Sequence, residues 1–215
     1  MNTLPGWIPI STNEYLEIVK KNGHYFDELK RICLEIGEPV EGNLFHPHNN
    51  IKTELKQAIP KQVNIYSLAR TGRNILEIGF NAGHSVLLML MANEDSKITC
   101  FDICEHSYTE KCFEYLDKTF PNRLLLVKGD SQKTVPEYNH NMKYDLIHID
   151  GGHHPDITRK DFENCYKIGS RFIVMDDTNM SFVNGIVEEA IQKRIVLEMK
   201  MCTTNIYHHR ILKIV

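Results

Sequence analysis

The chain has 215 residues, with 25 lysines and arginines against 28 aspartates and glutamates, a formal charge of −3 and a pI near 6.4. That length suits one domain with a full core, and an acid excess without any clustered basic run argues for small-molecule partners and no nucleic acid. The segment Met1 to Trp7 lacks a basic region followed by an apolar stretch, no apolar run is long enough to span a bilayer, and the six cysteines include no CxxC pair. A cytoplasmic protein with reduced thiols and no membrane partner is the expectation.

In chain order, helical patterns over Glu14 to Lys21 and Asp27 to Ile36, then a polar loop from Gly42 to Asn50, predict a helical cap over residues 1–70, part of the same domain as residues 71–215. His46 and His48 in that loop read as solvated residues rather than ligands. From Arg73 onward strand and helix alternate: strand Asn74 to Ile78, helix His84 to Ala92, strand Lys97 to Asp102, helix Tyr108 to Thr119, strand Arg123 to Val127 and a short helix near Gln132. Strand Tyr144 to Asp150, helix Ile157 to Ile168 and strand Arg171 to Asp177 follow. The last two strands, Arg194 to Met201 and Asn205 to Val215, are joined by Cys202-Thr203-Thr204, too short for a parallel crossover, so they predict an antiparallel hairpin at a sheet edge. The expected fold is α/β, a doubly wound, mainly parallel seven-stranded sheet of Rossmann-like type with helices on both faces. In the helix after the second strand, Tyr108, Cys112, Phe113, Tyr115 and Leu116 read as core packing.

Two of these strands end in aspartate, Asp150 and the pair Asp176-Asp177, one helix apart, and Gly151-Gly152-His153-His154 follows the first. On neighbouring parallel strands the ends lie about 5 Å apart, so three carboxylates meet, which is costly without a cation. A divalent metal on Asp150, Asp176 and Asp177, with Mg2+ the expected ion, is the economical reading, with His153, or as its substitute His154, beside it to take a proton. The plainer use of Asp176 and Asp177 is to cap the helix beginning near Ser181. At the first strand-to-helix turn, Glu77-Ile78-Gly79-Phe80-Asn81-Ala82-Gly83-His84-Ser85 places glycines where a ligand can approach the backbone, ahead of a helix N-terminus. The G-x-x-x-G spacing of Gly79 and Gly83 departs from the dinucleotide fingerprint, and an acid at Glu77 suits the ammonium of S-adenosylmethionine better than a pyrophosphate. Asp102 at the end of the second strand is placed for ribose hydroxyls, and Asp130 and Ser131 after the third for adenine.

These residues give the chain its resemblance, over about Arg73 to Val215, to class I S-adenosylmethionine-dependent methyltransferases, and within them to the metal-dependent O-methyltransferases of the catechol, caffeoyl-coenzyme A and macrolide-sugar (macrocin) groups. The resemblance implies that Glu77, Gly79, Asn81, Gly83 and Ser85 hold the methionine part of the cofactor. It also implies that Asp150 with Asp176-Asp177 holds the metal, with Asp150 and His153 the catalytic residues and His153 the general base. Catechol-type enzymes carry a lysine near that position, so His153 tilts the expected acceptor from a phenol toward a hydroxyl on a sugar or sugar-bearing metabolite, with the loop Thr178 to Ser181 and the cap closing over it. The first 70 residues carry no such resemblance. The competing readings are an NAD(P)-dependent oxidoreductase, opposed by Glu77 and the glycine spacing, and a non-catalytic partner subunit of the same fold, opposed by the intact acids. Self-association into a homo-oligomer is left open.

Overall fold

A computed structural model describes residues 9–199 and 208–215. Three helices open it: α1 (Thr12–Lys21), α2 (Gly23–Ile36) and, after a 3-10 turn at Lys56–Ala58, α3 (Ile59–Ala69). Ser11 caps α1 by accepting the Glu14 N–H, and Gly37 ends α2 in the left-handed conformation, ordinary devices at helix ends. The alternating units then run β1 (Asn74–Ile78), α4 (His84–Ala92), β2 (Lys97–Asp102), α5 (Ser107–Thr119), β3 (Leu124–Lys128), α6 (Ser131–Glu137), β4 (Tyr144–Ile149), α7 (Pro155–Ile168), β5 (Ser170–Met175) and α8 (Ser181–Gln192). The chain closes with β6 (Val196–Met199) and β7 (Arg210–Ile214).

The seven strands form one sheet in the order β3-β2-β1-β4-β5-β7-β6, parallel from β3 through β5, with β7 antiparallel to both β5 and β6. The expected doubly wound sheet is therefore present, and the antiparallel pair sits at its edge with the later strand innermost. The short link Cys202-Thr203-Thr204 lies outside the described residues. Among the described residues no helix is long and apolar enough to cross a membrane.

Side chains alternate across the strands and divide the apolar residues into two cores. Ile75, Leu146 and Val174 pack with α1 to α5 on one face, whereas Leu76, Ile147 and Ile173 pack with α6 to α8 on the other. The same period places Glu77, His148 and Asp176 on the α1 to α5 face, Glu77 and His148 as direct register partners. That polar row lies in what is otherwise a hydrophobic layer, and all three residues are buried. Helix α3 completes this layer and is buried over nearly all its length, including Lys61, Gln62, Asn64 and Ser67. Tyr108, Cys112 and Leu116 of α5 are core residues, as expected. His46 is buried rather than solvated: its Nδ1 bonds the Thr53 carbonyl at 2.9 Å and its ring meets His84 edge-on, while His48 is exposed. The thiols of Cys33, Cys100, Cys104, Cys112 and Cys165 are free.

Candidate functional site

The strand order reverses between β1 and β4, and the carboxyl ends of the strands around that point open on a cavity of about 340 Å³. A crevice at this switch is where doubly wound sheets bind ligands, and its size is within the range for small-molecule sites. Its wall is built from the β1 turn (Gly79, Asn81, Ser85), the end of β2 (Asp102, His106), Asp130 and Ser131 after β3, and Asp150 to His153 after β4. The cap adds Glu41 to Leu44. Six of the eight residues expected to hold the cofactor thus share one cavity; Glu77 and Gly83 lie behind its wall.

The turn itself explains its glycines. Gly79 has φ +92°, and a Cβ there would sit 2.0 Å from the Asp150 carbonyl oxygen, so only glycine lets β1 and the β4 loop come this close. Gly83, at φ +77°, is the N-cap of α4 without a side-chain cap, leaving the first N–H groups of that helix available to an anionic group. Asp102 shapes the turn as well as the cavity. Its Oδ2 accepts the N–H groups of Phe80 at 2.7 Å and Asn81 at 2.9 Å, and its Oδ1 accepts that of Cys104 at 2.7 Å. The Asn81 amide reaches the Gly42 carbonyl of the cap at 3.3 Å. Asp130 N-caps α6 through the Gln132 N–H at 3.0 Å.

Glu77 is wholly buried, and its Oε1 accepts from the Ser85 hydroxyl and from His148 Nδ1 at 2.8 Å. Its Oε2 has no hydrogen-bond partner, a buried acceptor that an incoming donor would satisfy. This orphaned oxygen, beside a serine that does line the cavity, fits the ammonium end of S-adenosylmethionine. Burial pushes the Glu77 carboxyl up, with His148 working against it; burial likewise opposes the His148 imidazolium, but Glu77, Asp150 and Asp176 outweigh it and hold its pKa above the usual value.

The acidic end is organised differently from a simple cluster of three carboxylates. Asp150, Asp176 and Asp177 do stand on neighbouring strand ends, but their side chains are drawn apart by different partners. Asp176 faces inward to an ion pair with Lys61 of α3, with His148 Nε2 at 3.9 Å from the same oxygen. Asp177, in the left-handed conformation, pairs with His153 Nε2 at 2.7 Å. Asp150 lies between, and ligating atoms gather into two overlapping sets, His148–Asp150–Asp176 and Asp150–His153–Asp177, each within 4.8 Å. The second set is the more open, and its oxygen-rich donors fit a divalent ion. A smaller cavity joins Asp150, His153, Asp176 and Asp177. The helix-capping alternative is excluded, since Met180 is the N-cap of α8 and no side chain caps it.

The charges follow this geometry. Burial and the nearby Asp176 push Asp150 up to about 7, whereas burial of Asp176 is outweighed by the Lys61 ammonium, which holds its carboxyl down at about 2. The Asp177 hydrogen bond raises His153 to about 9, so in this pairing it is an imidazolium at neutral pH. Burial disfavours the Lys61 ammonium, and Asp176 with Asp150 restores it. Removing one member of such a pair alone typically costs roughly 3–5 kcal/mol, because a bare charge is left inside.

Lys61 and His148 are the residues that sequence reasoning missed. The signal for His148 is a single imidazole at the core-facing parity of an apolar strand, on the residue paired with Glu77; the signal for Lys61 is weaker, one cation in a helix whose other polar residues are also buried.

A Rossmann-like sheet with a ligand cavity at its switch point and acids at the strand ends defines an α/β fold of the nucleoside-binding kind. Residues 76–178 match the family model described as a methyltransferase domain. The fold is that of solved methyltransferases: the O-methyltransferase TomG from Streptomyces achromogenes, involved in tomaymycin synthesis and in complex with SAM (19% identity, 89% of each chain covered, TM-score 0.63), and the Bacillus cereus O-methyltransferase in complex with SAH (16%, 89% of this chain and 90% of that one, 0.63). The SAH-bound Podospora anserina methyltransferase PaMTH1 is similar over 72% of this chain and 78% of its own (12%, 0.56). No curated protein matches the sequence. The chain therefore has the fold of these methyltransferases, and its residues 76–178 are similar to a methyltransferase domain.

Proposed function

We propose that this protein transfers the methyl group of S-adenosylmethionine to a hydroxyl oxygen of a small molecule, a sugar or sugar-bearing metabolite, with a divalent cation such as Mg2+ at the acidic strand ends. The observation that carries the reading is the single cavity at the β1–β4 switch, lined on one side by the glycine turn, Ser85, Asp102 and Asp130 and on the other by Asp150 and His153. Such a cavity would hold donor and acceptor against each other, and orientation of this kind is a large part of what a transferase contributes. The SAM and SAH complexes of the structural neighbours support the cofactor.

The sulfonium supplies a methyl carbon already activated for displacement, and a divalent cation would supply the charge that acidifies the acceptor hydroxyl and offsets the hold of Asp177 on the His153 proton. Glu77 and Ser85 orient the amino-acid end of the donor, and Asp102 and Asp130 its nucleoside. Asp150 and Asp177 are the residues that would hold the cation. With that hold offset, His153 in its neutral form takes the hydroxyl proton as the oxygen–carbon bond forms and the carbon–sulfur bond breaks, the sulfur keeping the electron pair. A histidine rather than a lysine three residues after Asp150 in the sequence favours a sugar-type hydroxyl over a phenol.

Calorimetry with S-adenosylhomocysteine on the folded protein, followed by methyl-transfer assays on sugar and catechol panels with and without EDTA, tests the reading. Binding, and transfer to a sugar hydroxyl abolished by EDTA, is expected. His153→Ala should lower turnover about 100-fold with little change in S-adenosylhomocysteine affinity. No heat with S-adenosylhomocysteine on folded protein would refute methyl transfer, and transfer insensitive to EDTA would remove the metal.

A further inference from the structure

We propose that Lys61 is a built-in counter-ion that takes Asp176 out of the ligand set of any divalent ion, leaving Asp150 and Asp177 to hold the metal weakly. The proposal rests on the divalent-cation reading above and specifies how this chain departs from a three-carboxylate site.

Both oxygens of Asp176 are already committed. Oδ1 accepts the Asp177 N–H at 2.7 Å, and Oδ2 receives the Lys61 ammonium, with His148 Nε2 3.9 Å away. The Lys61 and Asp176 side chains are only 7% and 2% exposed, so neither swings into solvent to make room. Lys61 comes from α3, not from the strand ends, and α3 is held by its own burial rather than by the site. Asp150 and Asp177, the latter 32% exposed on its side chain, keep a mutual approach within 4.8 Å with His153. Two carboxylates with water in the remaining positions are enough for Mg2+ or Mn2+. A fixed ammonium close by lowers the affinity further through like-charge repulsion in a poorly screened setting. The lysine thus does two things at once: it neutralises the innermost acid when no metal is bound and sets how tightly one binds.

The test is Mn2+ binding, followed by calorimetry and by the electron paramagnetic resonance of free Mn2+, on the full chain saturated with S-adenosylhomocysteine. Lys61→Met, which keeps most of the length of the side chain and loses its charge, should bind Mn2+ at least tenfold more tightly than the wild type, because Asp176 is released as a third ligand. Asp150→Asn should weaken binding more than tenfold. The double variant Lys61→Met with Asp176→Asn leaves no unpaired buried charge and guards against a single variant that fails to fold. It should bind Mn2+ within about threefold of the wild type. The proposal is overturned if the double variant loses Mn2+ as fully as Asp150→Asn, if folded Lys61→Met binds no more tightly than the wild type, or if no variant binds Mn2+ at all. S-adenosylhomocysteine heats in the same samples separate this from the methyl-transfer reading: intact S-adenosylhomocysteine binding with any of those Mn2+ results overturns the role of Lys61 and leaves methyl transfer standing.

Discussion

At the scale of single residues, the site depends on a few atoms that have no room to move. Gly79 is the clearest case, because its φ of +92° and the Asp150 carbonyl 2.0 Å from an ideal Cβ are separate obstacles to any side chain. Gly79→Ala should destabilise the protein by about 2–5 kcal/mol, the sum of left-handed strain and of displacing a backbone carbonyl. Gly23→Ala is the control, since nothing lies within 4 Å of its Cβ position, and it should change stability by less than about 1 kcal/mol. Urea midpoints for both variants decide the matter; equal midpoints would show that the β4 loop yields freely. Residue-level legibility was uneven for a physical reason. Gly79, Asp102 and Asp150 stand at turns and strand ends, where the type of residue reports its backbone or its neighbours. Lys61 reports neither, because its partner Asp176 is 115 positions away in the chain.

At the scale of elements, the cap is tied to the sheet through polar as well as apolar contacts. The segment after α2 is held to the start of α5 by Glu38, which accepts from His106 Nδ1 at 2.6 Å and from the Ser107 N–H at 2.7 Å. Glu41 and Glu105 also face the same imidazole, at 3.6 and 4.0 Å. Partial burial opposes the His106 charge, but Glu38 and Glu41 outweigh it and raise its pKa, while the His106 hydrogen bond lowers that of Glu38. A raised histidine contributes fully below its unfolded value of about 6.5 and loses its contribution as pH rises through the folded value; a lowered glutamate contributes fully above about 4.3 and loses it as pH falls. The tie is therefore complete between about pH 4.3 and 6.5. Glu38→Gln keeps an acceptor for Ser107 and should lower the melting temperature most inside that window and progressively less at alkaline pH. A difference that is flat from pH 5 to 9 would mean that the ion pair adds nothing beyond its neutral hydrogen bonds. The strands and the helices α4 to α8 were legible because apolar runs and strand-to-helix punctuation repeat along the chain. Helix α3 was not, since burial on every side removes the polar stripe by which a helix is recognised.

At the scale of the whole molecule, the cap is one wall of a shared core. Tyr15, Leu29 and Cys33 of α1 and α2, Val63, Ile65 and Leu68 of α3, Leu87 of α4, and Ile75 and Leu146 of the sheet belong to one continuous apolar cluster. The same helix α3 carries the Lys61 charge that balances Asp176, so the cap supports both the packing and the electrostatics of the strand ends. A chain beginning at residue 71 would expose that apolar face and leave Asp176 without its ammonium. Each loss is of a kind that single substitutions show to be severe, and here they coincide. The 71–215 fragment should therefore show no cooperative thermal transition and bind a dye specific for exposed apolar surface, whereas the full chain should melt in one transition that far- and near-ultraviolet circular dichroism report alike. A fragment melting sharply, within a few degrees of the full chain, would show instead that the sheet and α4 to α8 form a core complete without the cap.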